Sequence, residues 1–361
     1  MKTWAAGEDV YAVDLNANFN EAAFMYFGDG SDGDVIISVN TSLARDMYYK
    51  NLTINNGIVL NPNGYRIFVK ETLTYVGTGK VSRNGNNGTN GGQSGNQSDM
   101  TPYRSAGGAA LASGTIFGGL AGGYGGFGGT SGGYGYNADA GQAGSNVTYS
   151  LPAVAGVGAG SGGAGTGGPL ALGGIGGTIT NVETLAGTLT RIMTLASATY
   201  NAENNAGIFE YILLKGSNSN TTLSSNAGSA GGGGGGQSGA FSQAQGGCGG
   251  GGGGNGGVIY IAAFNIVTVN GNTFVEAKGG NGGNGGNGGA VSTYHAGGGG
   301  GGAGGQGGFV LLIYKSLTGT GVIDVSGGTK GLKGLKGGAS GADGADGNNG
   351  NTGKYIKIKI V

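Results

Sequence analysis

The chain has 361 residues, of which 94 are glycine, and its 18 basic and 18 acidic residues leave no net charge. Binding to phosphate backbones or anionic lipid surfaces needs clustered Lys and Arg, so a chain with 10% charged residues is a poor candidate for a nucleic-acid or membrane-surface protein. A single cysteine, Cys248, excludes an intramolecular disulfide framework. The longest apolar stretch, residues 258–269, is too short to span a bilayer, and the first ten residues lack the apolar run of a signal peptide. We therefore expect synthesis in the cytosol without membrane insertion.

Glycine is unevenly distributed, with 13 residues in the first 100 and 81 in the remainder. This shift predicts three regions. They are an N-terminal segment with a short helix (1–27), a β-rich domain (28–105) and a glycine-rich domain (106–361).

Residues 14–26 have the apolar spacing of a helix, with Leu15, Phe19 and Tyr26 on one face and Asp14 as the predicted N-cap. The overlapping stretch 4–19 reads WAAGEDVYAVDLNANF. It resembles the opening W-x-x-G-x-x-L-T-A-x-D-L-N-x-x-F segment of tailed-bacteriophage fibre and other virion proteins. The matching residues are Trp4, Gly7, Ala12, Asp14, Leu15, Asn16 and Phe19, whereas Val10 and Tyr11 stand where that segment has Leu-Thr. A plain amphipathic helix is the alternative interpretation. The resemblance implies that residues 1–27 attach the chain to other virion proteins and that the chain forms a homotrimer.

Residues 34–82 alternate short β-type runs with turn signals such as Asn63-Gly64, which predicts a β-helix-like or sandwich region. Three stretches repeat one plan, in which a strand, a loop and a second strand lead into a glycine run: residues 65–92, 258–283 and 309–331. Repeats of this kind predict a stack of units that bury surface against one another.

Between the glycine runs, residues 180–198 have apolar residues three or four apart, and Thr180 and Glu183 have the spacing of a capping box. A second short helix is predicted over residues 207–215. We expect the two to form a helical insertion at about 180–216.

Glycine recurs every third residue in several runs. From Gly279 to Gly288 the triplet is Gly-Gly-Asn, and from Gly328 onward one glycine per triplet is kept, with a slip of one residue at Gly338. A period of three is that of the polyproline-II-type helix, which turns once every three residues. The final segment is amphipathic on such a helix, because polar residues precede most of these glycines and apolar residues follow them.

Three interpretations compete for these runs. Glycine-rich segments are commonly flexible linkers. A collagen triple helix is disfavoured because there are only four prolines, none of them in the periodic C-terminal segments, and because of the slip at Gly338. The third is an array in which side-chain-poor helices approach closely enough for their backbones to hydrogen-bond to one another. We predict this array, which is similar to the glycine-rich sandwiches of receptor-recognising adhesins at phage long tail fibre tips. The predicted fold class is therefore mostly β plus polyglycine/polyproline-II helices.

Few residues have the pattern of a chemical site. Asp29, Asp32 and Asp34 lie in a short glycine-rich loop, where carboxylates can hold Ca²⁺, but Asp-Gly pairs are also ordinary turn formers. No Gly-Lys-Ser/Thr phosphate loop occurs, and the sole histidine, His295, has no visible catalytic partner. We predict no cofactor, with calcium at the Asp loop as the alternative, and no catalytic residue.

Aromatic residues near breaks in the glycine runs are the predicted receptor contacts, since turns between rigid helices are where a scaffold presents recognition loops. The candidates are Tyr124, Phe127, Tyr134, Tyr136, Phe241, Tyr294 and the adjacent His295. Packing of these rings against neighbouring repeats is the alternative for each.

Together these observations predict a non-enzymatic structural virion protein, a tail fibre or fibre-tip adhesin that binds a glycan or protein on the host surface. A capsid or tail decoration protein without receptor binding is one alternative. A polysaccharide-degrading tailspike is another, for which two facing carboxylates would be required.

Overall fold

The computed structural model describes residues 26–92, 105–116, 118–119, 121–126, 128, 147–149, 179–181, 246–291, 294–339 and 341–360. Most of the regular structure in these ranges consists of parallel strands, and Tyr26 and Phe27 have helical backbone. The rest of the predicted helix 14–26 lies outside the described residues.

The strands fall into two large parallel sheets. The first has the order β1(Asp34–Ile37), β3(Met47–Ile54), β5(Ile67–Tyr75), β9(Val258–Val267), β13(Phe309–Thr318) and β15(Lys354–Lys359). The second has the order β14(Val322–Asp324), β10(Thr273–Glu276), β6(Lys80–Ser82), β4(Val59–Asn61) and β2(Thr41–Ser42). The chain visits the sheets alternately, so each pair of consecutive strands forms one coil of a stack.

The predicted repeats occupy neighbouring coils. Residues 65–92, 258–283 and 309–331 contain the strand pairs β5–β6, β9–β10 and β13–β14, and β9 lies between β5 and β13. Strands on both sides of the predicted boundary at residue 105 therefore share both sheets and one core.

The main core lies between the two sheets. In β9, Ile259, Ile261 and Ala263 are fully buried on this side. Alternate residues of the same strand, including Tyr260 and Ala262, belong to a second cluster on the opposite face of the first sheet, where Phe27 and Ile116 pack against them. A strand buried on both faces reads as a continuous apolar run, as VIYIAAFNIV does.

The return from the second sheet to the first sheet changes along the stack. Between β2 and β3 it takes residues 43–46, and between β4 and β5 residues 62–66. After β6, β10 and β14 the chain instead makes long excursions over residues 83–257, 277–308 and 325–353. Most of the described residues in these excursions belong to the glycine runs.

Each excursion has an outgoing and a return segment. We name the outgoing segments O1 (84–92), O2 (278–289) and O3 (326–337), and the return segments R1 (246–257), R2 (296–308) and R3 (342–353). Outgoing segments lie parallel to one another, and so do return segments. Outgoing segments lie antiparallel to the return segments beside them. We call the resulting two-layered body the glycine slab.

Backbone hydrogen bonds in the slab recur every third residue. Gly279, Gly282, Gly285 and Gly288 of O2 donate to O3 carbonyls at 2.8–2.9 Å. Gly280, Gly283 and Gly286 donate to R1 at 2.8 Å. We call each set of residues spaced three apart along a segment a phase. The third phase of O2 includes Asn281 and Asn284, whose N–H groups donate to the side-chain oxygens of Asn87 and Asn90 in O1. Every N–H group from Lys278 to Gly286 thus has a partner.

The number of glycine phases follows the number of neighbours. R1 is almost pure glycine and hydrogen-bonds to O1, O2, R2 and the segments 105–109 and 121–126. O2 has glycine in two phases and an exposed Asn in the third, whereas the outer segments O3 and R3 keep glycine in one phase. In O2, O3 and R3, the positions whose N–H groups donate to a neighbouring backbone are occupied by glycine.

Two small two-stranded sheets lie outside the two large sheets. Strands β11(Ala290–Val291) and β12(Tyr294–His295) form an antiparallel hairpin between O2 and R2. Strands β7(Val147–Tyr149) and β8(Ile179–Asn181) pair in parallel. Thr180 and Asn181 therefore lie in a strand, so the helix predicted to begin at Thr180 is wrong at its start. The rest of the predicted insertion to residue 216 lies outside the described residues.

Candidate functional site

Among the described residues, the turns that link O2 to R2 and O3 to R3 lie together at the end of the slab away from the sheets. O2 leads into the β11–β12 hairpin, and O3 leads into a turn at Gly338, whose φ is +100°. Gly337 donates a hydrogen bond to the Ala296 carbonyl at 2.9 Å, and Ala296 donates to Gly289 at 3.0 Å. These bonds bring the two turns side by side. We call this end of the slab the distal end.

Two predicted contact residues lie at the distal end. Tyr294 pairs with Val291 and His295 with Ala290 in the hairpin. Tyr124 lies in segment 121–126 beside R1, with 53% of its surface exposed. Phe127, Tyr134, Tyr136 and Phe241 lie outside the described residues. Tyr294 and His295 therefore lie in the same hairpin. That they contact a receptor stays a prediction.

The carboxylates of Asp29, Asp32 and Asp34, in the predicted calcium loop, form hydrogen bonds and an ion pair with other groups of the protein. Asp29 accepts a hydrogen bond from the Ser31 N–H at 2.9 Å, which lowers the pKa of its carboxyl. Asp32 forms an ion pair with Arg45, which lowers the Asp32 pKa, and also accepts from the Tyr48 N–H at 2.7 Å. Asp34 accepts from the Asn51 side chain at 2.8 Å. Within the described ranges, no group of three His, Cys, Asp or Glu side chains is placed to hold a metal ion. The three carboxylates thus have separate partners instead of a common centre.

A charged cluster lies on the outer side of the second sheet where it meets the slab. Glu276 is 5% exposed and accepts from Ser82 at 2.9 Å, from Asn84 at 2.6 Å and from Lys80 at 2.9 Å. Burial opposes the charge of Glu276, but these partners together lower the pKa of its carboxyl. Lys278 links Glu276 to Asp324 at 3.6 and 3.2 Å. This network joins β6, β10 and β14 at the point where O1, O2 and O3 begin.

The slab and its base contain several buried polar or reactive groups, and two of them are Arg83 and Cys248. Arg83 is 3% exposed and donates to the Ala112 carbonyl, and burial lowers the pKa of its guanidinium to about 10. Cys248 of R1 is 1% exposed, and burial raises the pKa of its thiol. A buried, protonated thiol is a poor nucleophile, and a buried Cys commonly packs as a small apolar residue.

A regular row of asparagines is the feature that sequence reasoning did not select as a site. Asn281, Asn284 and Asn287 are all exposed on O2, and Asn87 and Asn90 are exposed beside them on O1. The Gly-Gly-Asn period was visible in the sequence, but it does not reveal that O1 lies next to O2.

No family model, curated protein or solved structure matches this chain. In the part of the chain that the structure describes, no helix has the length and apolar character needed to cross a membrane.

Proposed function

We propose that the glycine slab is an array of polyglycine II helices and that the chain is a structural, non-enzymatic protein of a tailed-phage particle. Within that particle, the proposed role is a tail fibre or fibre-tip adhesin that binds the host surface. The observation that carries the proposal is the hydrogen-bond period of three across adjacent extended segments, with the described O2–R2 and O3–R3 turns side by side at one end. A helix with three residues per turn has no internal hydrogen bonds, because its N–H and C=O groups point outward. Its hydrogen bonds are therefore made to neighbouring segments.

Backbone cross-links support a rigid presenting role. Each bond contributes about 0.5–1.5 kcal/mol net, and the bonds recur along every described segment of the slab. A stiff body of this kind holds its turns in fixed positions, and such turns are where binding residues are commonly found. Tyr294 and His295 are therefore the residues of the described distal end that we propose to contact the receptor.

The N-terminal resemblance gives the proposal its virion context. Residues 4–19 are similar to the opening segment of phage fibre proteins, and residues 1–27 would attach the chain to other virion proteins. Three copies would form the fibre, and its receptor would be a glycan or protein of the host surface.

Immunogold labelling of the phage particle that contains this chain tests the proposed location. We expect label at the distal tip or along the fibre. Label on the head would instead support a decoration protein, and release of oligosaccharide from host polysaccharide by the purified chain would overturn the non-enzymatic assignment.

A cell-binding assay tests the proposed role of the distal end. The purified chain should bind host cells and compete with phage adsorption, and the double variant Tyr294→Ser/His295→Ser should lose both effects. Tyr355→Ser is the matched control, since Tyr355 is 50% exposed but lies on β15, in the sheet region. Equal losses in the two variants would contradict a receptor site at the hairpin.

A further inference from the structure

The exposed face of the outgoing layer carries a grid of asparagine side chains. We define the amide face as Asn87 and Asn90 of O1, Asn281, Asn284 and Asn287 of O2, and Thr329, Leu332 and Leu335 of O3, all of which are exposed. The three segments are parallel and in register, so these residues form rows across the face. Successive residues along a segment are three apart, or roughly 9 Å at about 3.1 Å per residue.

The asparagine side chains are held in place by the backbone beside them. The Oδ1 atoms of Asn87 and Asn90 accept from the N–H groups of Asn281 and Asn284 at 2.8 and 2.9 Å. The Oδ1 atoms of Asn281, Asn284 and Asn287 accept from Thr329, Leu332 and Leu335 at 2.8–2.9 Å. Because each oxygen is fixed in this way, the orientation of each amide group is fixed as well.

The amide nitrogens on this face are left for an external partner. Among the described residues, none accepts a hydrogen bond from Nδ2 of these five asparagines, and all five side chains are exposed. Each nitrogen has two N–H donors. The face therefore presents uncharged donors at a regular spacing, already ordered before any ligand binds. Ordering before binding reduces the entropy that association costs.

The chemistry of this face fits a polysaccharide chain better than a protein surface. Protein interfaces are commonly centred on buried aromatic or Arg side chains, and the amide face has neither. Repeated hydroxyl and ring oxygens in a polymer of sugars match repeated N–H donors. Leu332 and Leu335, each 54% exposed, add an apolar border against which the C–H faces of sugar rings can pack.

We infer that the amide face is a binding site for a host-surface polysaccharide lying across the outgoing segments. This inference rests on the proposed adhesin function and adds a second site to it, separate from the distal end. Binding at each position is weak, and affinity comes from many positions engaging the same chain.

The substitution Asn284→Asp tests the site with little disturbance of the slab. Aspartate keeps the oxygen that accepts from the Leu332 N–H at 2.8 Å and removes the outward N–H donors. Asn349→Asp is the matched control, because the exposed Asn349 on R3 accepts from the Lys330 N–H at 2.9 Å in the same way but lies off the amide face. The triple variant Asn281→Asp/Asn284→Asp/Asn287→Asp removes the whole O2 row.

Binding of full-length chains to a microarray of bacterial surface polysaccharides provides the readout. We expect Asn284→Asp to weaken binding several-fold and the triple variant at least about tenfold, while Asn349→Asp binds like the original chain. The loss should persist in about 1 M salt, where charge repulsion is screened within about 3 Å.

The possible outcomes separate this inference from the proposed function. Equal binding by Asn284→Asp and Asn349→Asp would overturn the amide face as a site and leave the adhesin proposal standing. A chain that binds host cells but no polysaccharide would also overturn the inference. A chain that binds neither would remove the adhesin function itself.

Discussion

Glycine is needed in the slab for space and not for an unusual backbone conformation. The described glycines with positive φ lie at turns such as Gly64 and Gly338, and those of O2 and R2 are not among them. A Cβ atom at Gly283 or Gly302 would instead come far closer to a facing carbonyl oxygen than the 3.0 Å that real Cβ atoms keep. The facing groups are backbone, which cannot rotate away.

The substitution Gly283→Ala should therefore destabilise the fold. Its Cβ would press on the Thr89 carbonyl, and we expect a loss of about 1–3 kcal/mol in the free energy of unfolding, measured by denaturant titration. Gly92→Ala is the control, because a Cβ there meets nothing within 4 Å, and it should change stability by less than about 0.5 kcal/mol. Similar losses for both variants would contradict the close packing of O1 against O2.

Glu276 should make stability depend on pH. The pKa of this carboxyl is lower in the folded chain than its ordinary value of 4.5, so its stabilising effect is present above pH 4.5. That effect is lost as the pH falls through the lowered pKa. We expect Glu276→Gln to reduce the free energy of unfolding at pH 7 by about 1–3 kcal/mol, with the difference from the original chain shrinking below pH 4.5. A difference that stays constant from pH 7 to pH 3 would argue against the charge network.

At the level of single elements, the slab is stable only if each phase of a segment continues to face the same neighbouring segment along its whole length. Deleting one residue, Gly285, would move the side chain of Asn287 into a phase that faces R1. Deleting the whole triplet 284–286 together with its counterpart 299–301 would keep every remaining phase. We expect the single deletion to abolish cooperative unfolding and the paired triplet deletion to preserve it, as measured by thermal scans followed by circular dichroism. Equal damage from both would contradict a repeat of three.

The sequence predicted several elements because their signals are local. The repeated strand–loop–strand plan of residues 65–92, 258–283 and 309–331 predicted stacked units, and β5, β9 and β13 are neighbours as expected. The glycine period of three predicted the spacing of the hydrogen bonds. The two-sheet arrangement could not be derived, since β6 and β9 are separated by 175 residues and join neighbouring coils.

The helix predicted from Thr180 illustrates a different limit. Its threonines and β-branched residues suit either a helix face or a strand, and Thr180 pairs with Thr148 in β7. The amide face illustrates a third limit. A Gly-Gly-Asn period predicts that each segment has one exposed row of side chains. It does not predict that O1, O2 and O3 are aligned so that their three rows form one surface.

At the level of the whole molecule, the slab should be most stable at its centre. Every N–H group of R1 from Gly247 to Gly254 donates to a backbone oxygen, and these residues are buried. In O3, the N–H groups of Lys330, Lys333 and Lys336 instead donate to side-chain oxygens of R3, which are exposed or half-buried. We expect amide hydrogen exchange to be slowest in R1 and clearly faster at the three lysines. Uniform exchange across both segments would contradict this gradient.

The placement of the excursions has a consequence for how such a molecule can change. Each glycine excursion leaves one strand and rejoins the stack at a neighbouring one, so its length is independent of the pairing within the sheets. Whole triplets can be added to or removed from both the outgoing and the return segment of an excursion without any change to the hydrophobic core between the sheets. Duplication or loss of short glycine-rich coding repeats can therefore change the length of the slab. The two sheets from which the slab extends stay unchanged.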